Sequence, residues 1–280
     1  MQAGFDFDVS CALSKGQRSY QEDAIITDFA RGSDTGLVVL ADGMGGHAAG
    51  DVASKIVVTE VFSELVFQRS DPTQFEQNIA QILTHAAQSA NACLREHVNA
   101  FPDTRGMGAT LVAPIIIRRH LYWISIGDSP LFLFRDGVLT QLNEDHSMAP
   151  QIDFMVKSGL MDQEEGARHP DRNTLTSVLF GEAIPKIDCP VDPVALSDGD
   201  ILIVASDGLQ FLSDEQIAAA LLQNRQRSSG EIADLLLNEL TALQDPDLDN
   251  VSFSIIKMDS AEAGADASDT SNAPGIRCVG

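Results

Sequence analysis

Basic residues are scarce in this chain of 280 residues: 18 Lys and Arg stand against 41 Asp and Glu, a net charge of −23. A surface of that sign repels a phosphate backbone, which argues against nucleic acid as a partner. Cysteine is thin as well. Cys11, Cys93, Cys189 and Cys278 include no CxxC pair, which disfavours a thioredoxin-like or zinc site and leaves reduced thiols. Long apolar runs are missing: the longest, Leu111 to Ile117, contains Pro114 and falls far short of the ~18 residues of a membrane span. The N-terminus, MQAGFDFDVS, has acids where a secretory leader has a basic segment followed by an apolar one. Neither GxGxxG nor GxxxxGK[ST] occurs, so a dinucleotide fold and a P-loop are disfavoured. What is present is a chain of 44% hydrophobic and 21% charged residues, ordinary globular usage. The expectation is a cytoplasmic protein that engages no membrane.

Periodicity sets the expected order of elements. Phe5, Phe7, Val9, Cys11 and Leu13 alternate with polar residues, the pattern of a strand with one buried face. Ala24–Phe29 and Leu37–Ala41 read as a hairpin around the turn-rich stretch 31–36. Helical spacing then holds from Val52 to Leu65, and again from Asp71-Pro72, an N-cap and first-turn proline, through to Val98. Four β-prone runs follow (110–117, 121–126, 131–134, 138–142) and suggest an antiparallel meander. Residues 146–175 are polar with one amphipathic piece, 152–160, and read as a mobile insertion. Ile201–Ala205 is a buried strand, and two helices follow it behind the capping boxes Ser213-x-x-Gln216 and Ser228-x-x-Glu231. Val251–Lys257 is the final strand. The order lacks regular βαβ alternation, so the expected class is an α+β antiparallel sandwich. It forms one domain over residues 1–258, and 259–280, rich in Ala, Ser, Asp and Gly, is expected to be a disordered tail.

Acidic residues recur at strand ends: Glu22 and Asp23 before one, Asp42 after another, Asp128 beyond 121–126, Asp207 directly after Ile201–Ala205, and Asp249 before Val251. Carboxylates gathered by a fold repel one another unless cations lie between them. With no companion His or Cys cluster, such a donor set suits Mg²⁺ or Mn²⁺ rather than zinc. Glycines 43, 45 and 46 let the chain turn sharply and bring a backbone carbonyl close to a ligand.

Arg18-x-x-x-Glu22-Asp23, Ala41-Asp-Gly-Met-Gly-Gly-His47, Gly108-Ala-Thr110, Gly127-Asp128-Ser129, Arg172-Asn-x-Leu-Thr176, Ser206-Asp-Gly208 and Asp249-Asn250 occur in this order. The series resembles the type 2C metal-dependent serine/threonine phosphatases, in their compact stand-alone bacterial form, from about residue 5 to 257. Gln21 stands where bacterial relatives often have Asn. The resemblance implies a sandwich of two antiparallel sheets flanked by helices, with 146–175 as the family's variable flap. It implies that Asp42 bridges two core metal ions, Asp207 and Asp249 complete one, and the Gly43 carbonyl and Glu22 complete the other. Asp128 with Asp207 would hold a third ion, and Asp23 would support the site from behind.

On this reading water between two Mn²⁺ or Mg²⁺ ions attacks phosphorus in line, Arg18 grips the phosphate oxygens, and His47 protonates the leaving serine or threonine oxygen. Substrates would be phosphorylated proteins in bacterial signalling, and a monomer is expected. Two alternatives carry different consequences. A phosphatase-fold binding module without catalysis would have lost some of Asp42, Asp207 or Asp249. A phosphatase dedicated to one small regulatory phosphoprotein would keep the same chemistry.

Overall fold

The computed structural model describes residues 5–30, 32–45, 48–70, 72–260 and 276–279. β1 (Phe5–Ser14), β2 (Asp23–Asp28) and β3 (Thr35–Met44) open the chain, followed by α1 (Ala48–Gln68), α2 (Pro72–Gln77) and α3 (Ile79–Ala100). β4 (Gly108–Ala109), β5 (Leu111–Ile117), β6 (His120–Ile126), β7 (Leu131–Arg135) and β8 (Val138–Gln141) come next. The insertion carries α4 (Ala149–Lys157) and α5 (Gln163–Ala167), and Arg172, beyond α5, pairs with Asp153 of α4 at 2.7 Å. β9 (Val194–Ala195), β10 (Ile201–Ala205), α6 (Asp214–Asn224), α7 (Ser229–Ala242), β11 (Val251–Ser260) and β12 (Ile276–Val279) complete it.

Two sheets result. One has the order β12-β1-β11-β10-β7-β8, the other β2-β3-β5-β6-β9 with β4 beside β3. Pairing is antiparallel except for β12, which lies parallel to β1.

Strand alternation explains the layering. On β3, Leu37, Val39 and Ala41 face α1 and α3, whereas Val38 and Leu40 face the other sheet among Val112, Trp123, Leu202, Val204 and Ile256. On β10, Ile201, Ile203 and Ala205 turn outward onto Ile217, Leu221, Leu236 and Leu240 of α6 and α7. Strands covered on both faces read as continuous apolar runs, as these do. The architecture is therefore the α+β sandwich expected, two antiparallel sheets between helical layers. Both capping boxes form, at Ser213 with Gln216 and at Ser228 with Glu231.

Three expectations are corrected. The second long helix is broken at Asn78, whose side-chain amide bonds the Gln74 carbonyl at 2.9 Å, a local bond that competes with helical continuation. The four-strand meander is divided between the sheets: β5 and β6 pair in one, β7 and β8 in the other. The chain changes sheet at Gly127-Asp128-Ser129-Pro130, where Gly127 has φ +108° and Pro130 has no N–H to offer a ladder. The expected tail also begins too early, because Asp259 and Ser260 still belong to β11 and 276–279 form β12. Residues 261–275 lie outside the described residues. Among the described residues no helix is long and apolar enough to cross a membrane.

Candidate metal centre

The ends of β2 and β3 from one sheet meet the ends of β10 and β11 from the other, and this is where the acids gather. Asp23 and Asp42 are register partners across β2 and β3. Asp23 is buried and reaches across the sandwich, accepting from Ser206 Oγ at 2.8 Å and from Ser252 Oγ at 2.9 Å. Asp42 is held through its backbone: its N–H donates to Thr110 Oγ1 at 2.9 Å, its carbonyl accepts from Thr110 N at 2.8 Å, and Thr110 shares a 2.7 Å bond with Ser129.

Asp207 opens the turn after β10 and lies beside Asp42. Asp249, just before β11, accepts from the Asn250 N–H at 2.7 Å and pairs with the Arg18 guanidinium. Asp128 sits on the sheet-changing turn, whose Gly127 N–H donates to His146 Nδ1 at 3.3 Å.

Glu22 and Gly43 form the remaining wall. The Gly43 N–H donates to the Glu22 carbonyl at 3.1 Å. A Cβ on Gly43 would collide with the Gly50 carbonyl, and one on Gly50 with Glu22 Oε1, so both glycines are required for the first turns of α1 to close on the loop. Asn250 ties this wall to β11. Its Oδ1 accepts from the Glu22 N–H at 2.8 Å, and its Nδ2 donates to the Lys15 and Tyr20 carbonyls, each at 2.9 Å. Sequence reasoning gave Asn250, Thr110 and Ser129 no part beyond their motifs. A polar residue beside an acid in a short motif was the available signal, but the bonds that tie them into the site span 19 to 235 residues of chain.

Electrostatics reflect the crowding. Removal from water, then the charges of Asp23, Asp207, Asp128 and Asp249, push Asp42 well above the usual carboxylate range. Asp207 is raised by burial and by Asp249. Burial and the charges of Asp207 and Asp145 take Asp128 up to about 7. Asp23 is likewise raised to about 7, by burial against the opposing effect of its two serine donors. Glu22 is raised by burial, with Arg18 the largest opposing influence.

Of the residues expected at the site, Arg18, Glu22, Asp23, Asp42, Gly43, Asp128, Asp207 and Asp249 come to this one edge of the sandwich, while His47 lies outside the described residues. Among the described residues no three Asp, Glu, His or Cys side chains converge on a single ion-sized point. They are instead ranged around the edge, with Asp42 against Asp207 and Asp249 turned to Arg18.

The chemistry of the donors nonetheless fits hard divalent cations. All are oxygens, and Glu22 Oε1, Asp23 Oδ1 and Asp207 Oδ1 are buried without a hydrogen-bond partner, a costly condition that a cation relieves. Mutual repulsion within the group is relieved in the same way.

Two sheets between helices, with oxygen donors gathered where the sheet ends meet, define an α+β sandwich whose acidic edge suits divalent cations. The sequence profile of the family Protein phosphatase 2C matches residues 15–243, and the chain belongs to that family. It is similar to the serine/threonine phosphatase stp of Listeria monocytogenes, with 31% identity over 83% of this chain and 88% of that protein. The crystal structure of the Mycobacterium tuberculosis serine/threonine phosphatase PstP/Ppp is 31% identical, with a TM-score of 0.73 over 90% of this chain and 99% of that one. The catalytic domain of the protein phosphatase PstP in complex with two manganese ions gives a TM-score of 0.72 at 29% identity, over 91% of this chain and 100% of that one. The chain is accordingly a metal-dependent protein serine/threonine phosphatase. Asp249 and Asn250 fall beyond the stretch that the family profile matches, so their part rests on the geometry above.

Proposed function

We propose that Asp42, Asp207, Asp249, Glu22 and the Gly43 carbonyl would together hold two Mn²⁺ or Mg²⁺ ions. Asp128 with Asp207 offers a third position. The observation that carries this reading is the set of orphaned, buried carboxylate oxygens on residues whose charges repel one another. The PstP domain bound to two manganese ions supports the count of two. Cations held here supply positive charge for the phosphoryl oxygens and acidify water for attack on phosphorus.

The chain's own groups do the rest. Thr110 fixes the Asp42 backbone, and Asp23, clamped by Ser206 and Ser252, holds the floor of the site against the second sheet. Arg18 offers a planar fork of donors that receives the phosphate oxygens. Its reach to Asp249 supports a place over the centre. His47, assigned from its motif alone, gives a proton to the departing serine or threonine oxygen. Substrates are phosphorylated proteins of the cytoplasm, and the reaction reverses kinase action in signalling.

Equilibrium dialysis of the metal-stripped protein against Mn²⁺ tests the assignment. Two or more ions per chain are expected, with fewer in Asp42→Asn. An Asp42→Asn protein that binds as many ions as the parent would overturn it.

A further inference from the structure

His146 is buried, 1% exposed, behind the turn that carries Asp128. Its ring Nδ1 accepts from the Gly127 N–H at 3.3 Å, and its own N–H donates to the Gly127 carbonyl at 3.0 Å. Both backbone polar groups of the residue before Asp128 therefore end on His146. A ring nitrogen that accepts carries no proton, which leaves the proton on Nε2, buried without a hydrogen-bond partner and 3.6 Å from the Glu144 carboxylate. Removal from water lowers the ring's pKa and favours the neutral form that can accept.

Buried Asn143, on the same segment, closes the other side of the turn. Its Oδ1 accepts from the Leu131 N–H at 2.8 Å and its Nδ2 donates to the Ser129 carbonyl at 2.9 Å. Asp128 is thus gripped on both sides by one short stretch of chain.

The turn needs that grip. Gly127, at φ +108°, lies where only glycine moves freely, and a Cβ there would stand 2.6 Å from Thr110 Cγ2, so no stiffer residue fits. His146 is itself fixed, because its carbonyl accepts from the Thr176 N–H at 2.7 Å and from Thr176 Oγ1 at 2.9 Å, where the insertion begins and ends. An acid on a glycine turn is placed by whatever holds the turn.

We propose that His146 is a positioning residue that acts through the backbone of Gly127 to hold the Asp128 carboxylate where, with Asp207, it takes a third cation. This rests on the metal centre proposed above.

Equilibrium dialysis of metal-stripped protein against graded Mn²⁺ tests it. The parent should bind three ions, the last most weakly. Loss of a group that orients a metal ligand typically costs ten- to a hundredfold in affinity. His146→Leu, which keeps bulk but accepts nothing, should therefore weaken the third ion by about tenfold to a hundredfold and leave the first two at parental affinity. His146→Asn returns an acceptor near the place of Nδ1 and should restore most of the loss. Adding His146→Leu to Asp128→Asn should leave the remaining two ions as they are in Asp128→Asn alone, since His146 acts only through Asp128. A third ion held equally by the parent and the Leu variant, an Asn variant no better than Leu, a further loss in the double variant, or a parent with only two ions overturns the proposal and leaves the two-ion centre standing. Weakening of all three ions by His146→Leu also overturns it, by making His146 a support of the fold at large. A parent that binds fewer than two ions overturns the centre itself.

Discussion

Asp23 and Asp42 stand opposite each other in register across β2 and β3, two acids on one face at the closest cross-strand distance a sheet provides. Like charges so placed destabilise a sheet, and here Asp207, Asp249 and Asp128 add to the repulsion. The fold tolerates the arrangement because protons or cations can neutralise it.

A pH dependence follows for the metal-free protein. The folded-state values of Asp23 and Asp128, each about 7, lie above their ordinary carboxylate value of 3.8, so the folded chain binds these protons more tightly than the unfolded chain. Their contribution to stability is fully present below the ordinary value and is lost as pH rises through about 7. Melting of metal-stripped protein should therefore show these groups lowering Tm between pH 5 and pH 8, and saturating Mn²⁺ should raise Tm more at pH 8 than at pH 5. An equal Mn²⁺ gain at both values would contradict the cluster's role.

Asp42→Asn and Asp207→Asn each remove one repelling charge without removing volume. Both should abolish turnover, yet the metal-free variants should melt at or above the Tm of the metal-free parent at pH 8. Variants that melted well below it would show that these acids serve packing more than metal.

Thr110→Val keeps shape but strands the Asp42 N–H and Ser129 Oγ, which now meet Thr110 Oγ1. A buried group left unpaired costs about 1–3 kcal/mol, to be read by urea denaturation, and the slackened Asp42 backbone should weaken Mn²⁺ binding. Thr110→Ser should recover most of both. Wild-type Mn²⁺ affinity in the Val variant would show that Thr110 does not hold the metal loop.

Arg18→Ala should raise KM for a phosphothreonine peptide by about tenfold to a hundredfold, the scale of one hydrogen bond to a charged group, with a smaller effect on kcat. An unchanged KM would place Arg18 outside the substrate site.

Much of this centre was legible in the chain because its acids sit at strand ends that periodicity already located: Asp42 after Leu37–Ala41 and Asp207 after Ile201–Ala205. What stayed hidden was contact between distant segments. Asp23 shows its purpose only when β2 lies against Ser206 and Ser252 of the other sheet, and Asn250 only when the 15–22 loop folds onto it. The sheet change at 127–130 was hidden for a related reason: β5 to β8 have the spacing of a meander, and spacing does not say which neighbour a strand takes. Burial on both faces made the strand runs easy to find and their partners hard to assign, since neither face carries a polar stripe to fix orientation.

The central claim, that these carboxylates hold the cations on which hydrolysis depends, is tested most directly by phosphate release from a phosphothreonine peptide as Mn²⁺ is titrated into metal-stripped protein. Turnover should be negligible at zero metal, rise to saturation with Mn²⁺, and vanish again on excess chelator, because carboxylate sites hold such ions loosely compared with closed thiolate cages. Full turnover by the stripped protein in the continued presence of chelator would contradict it.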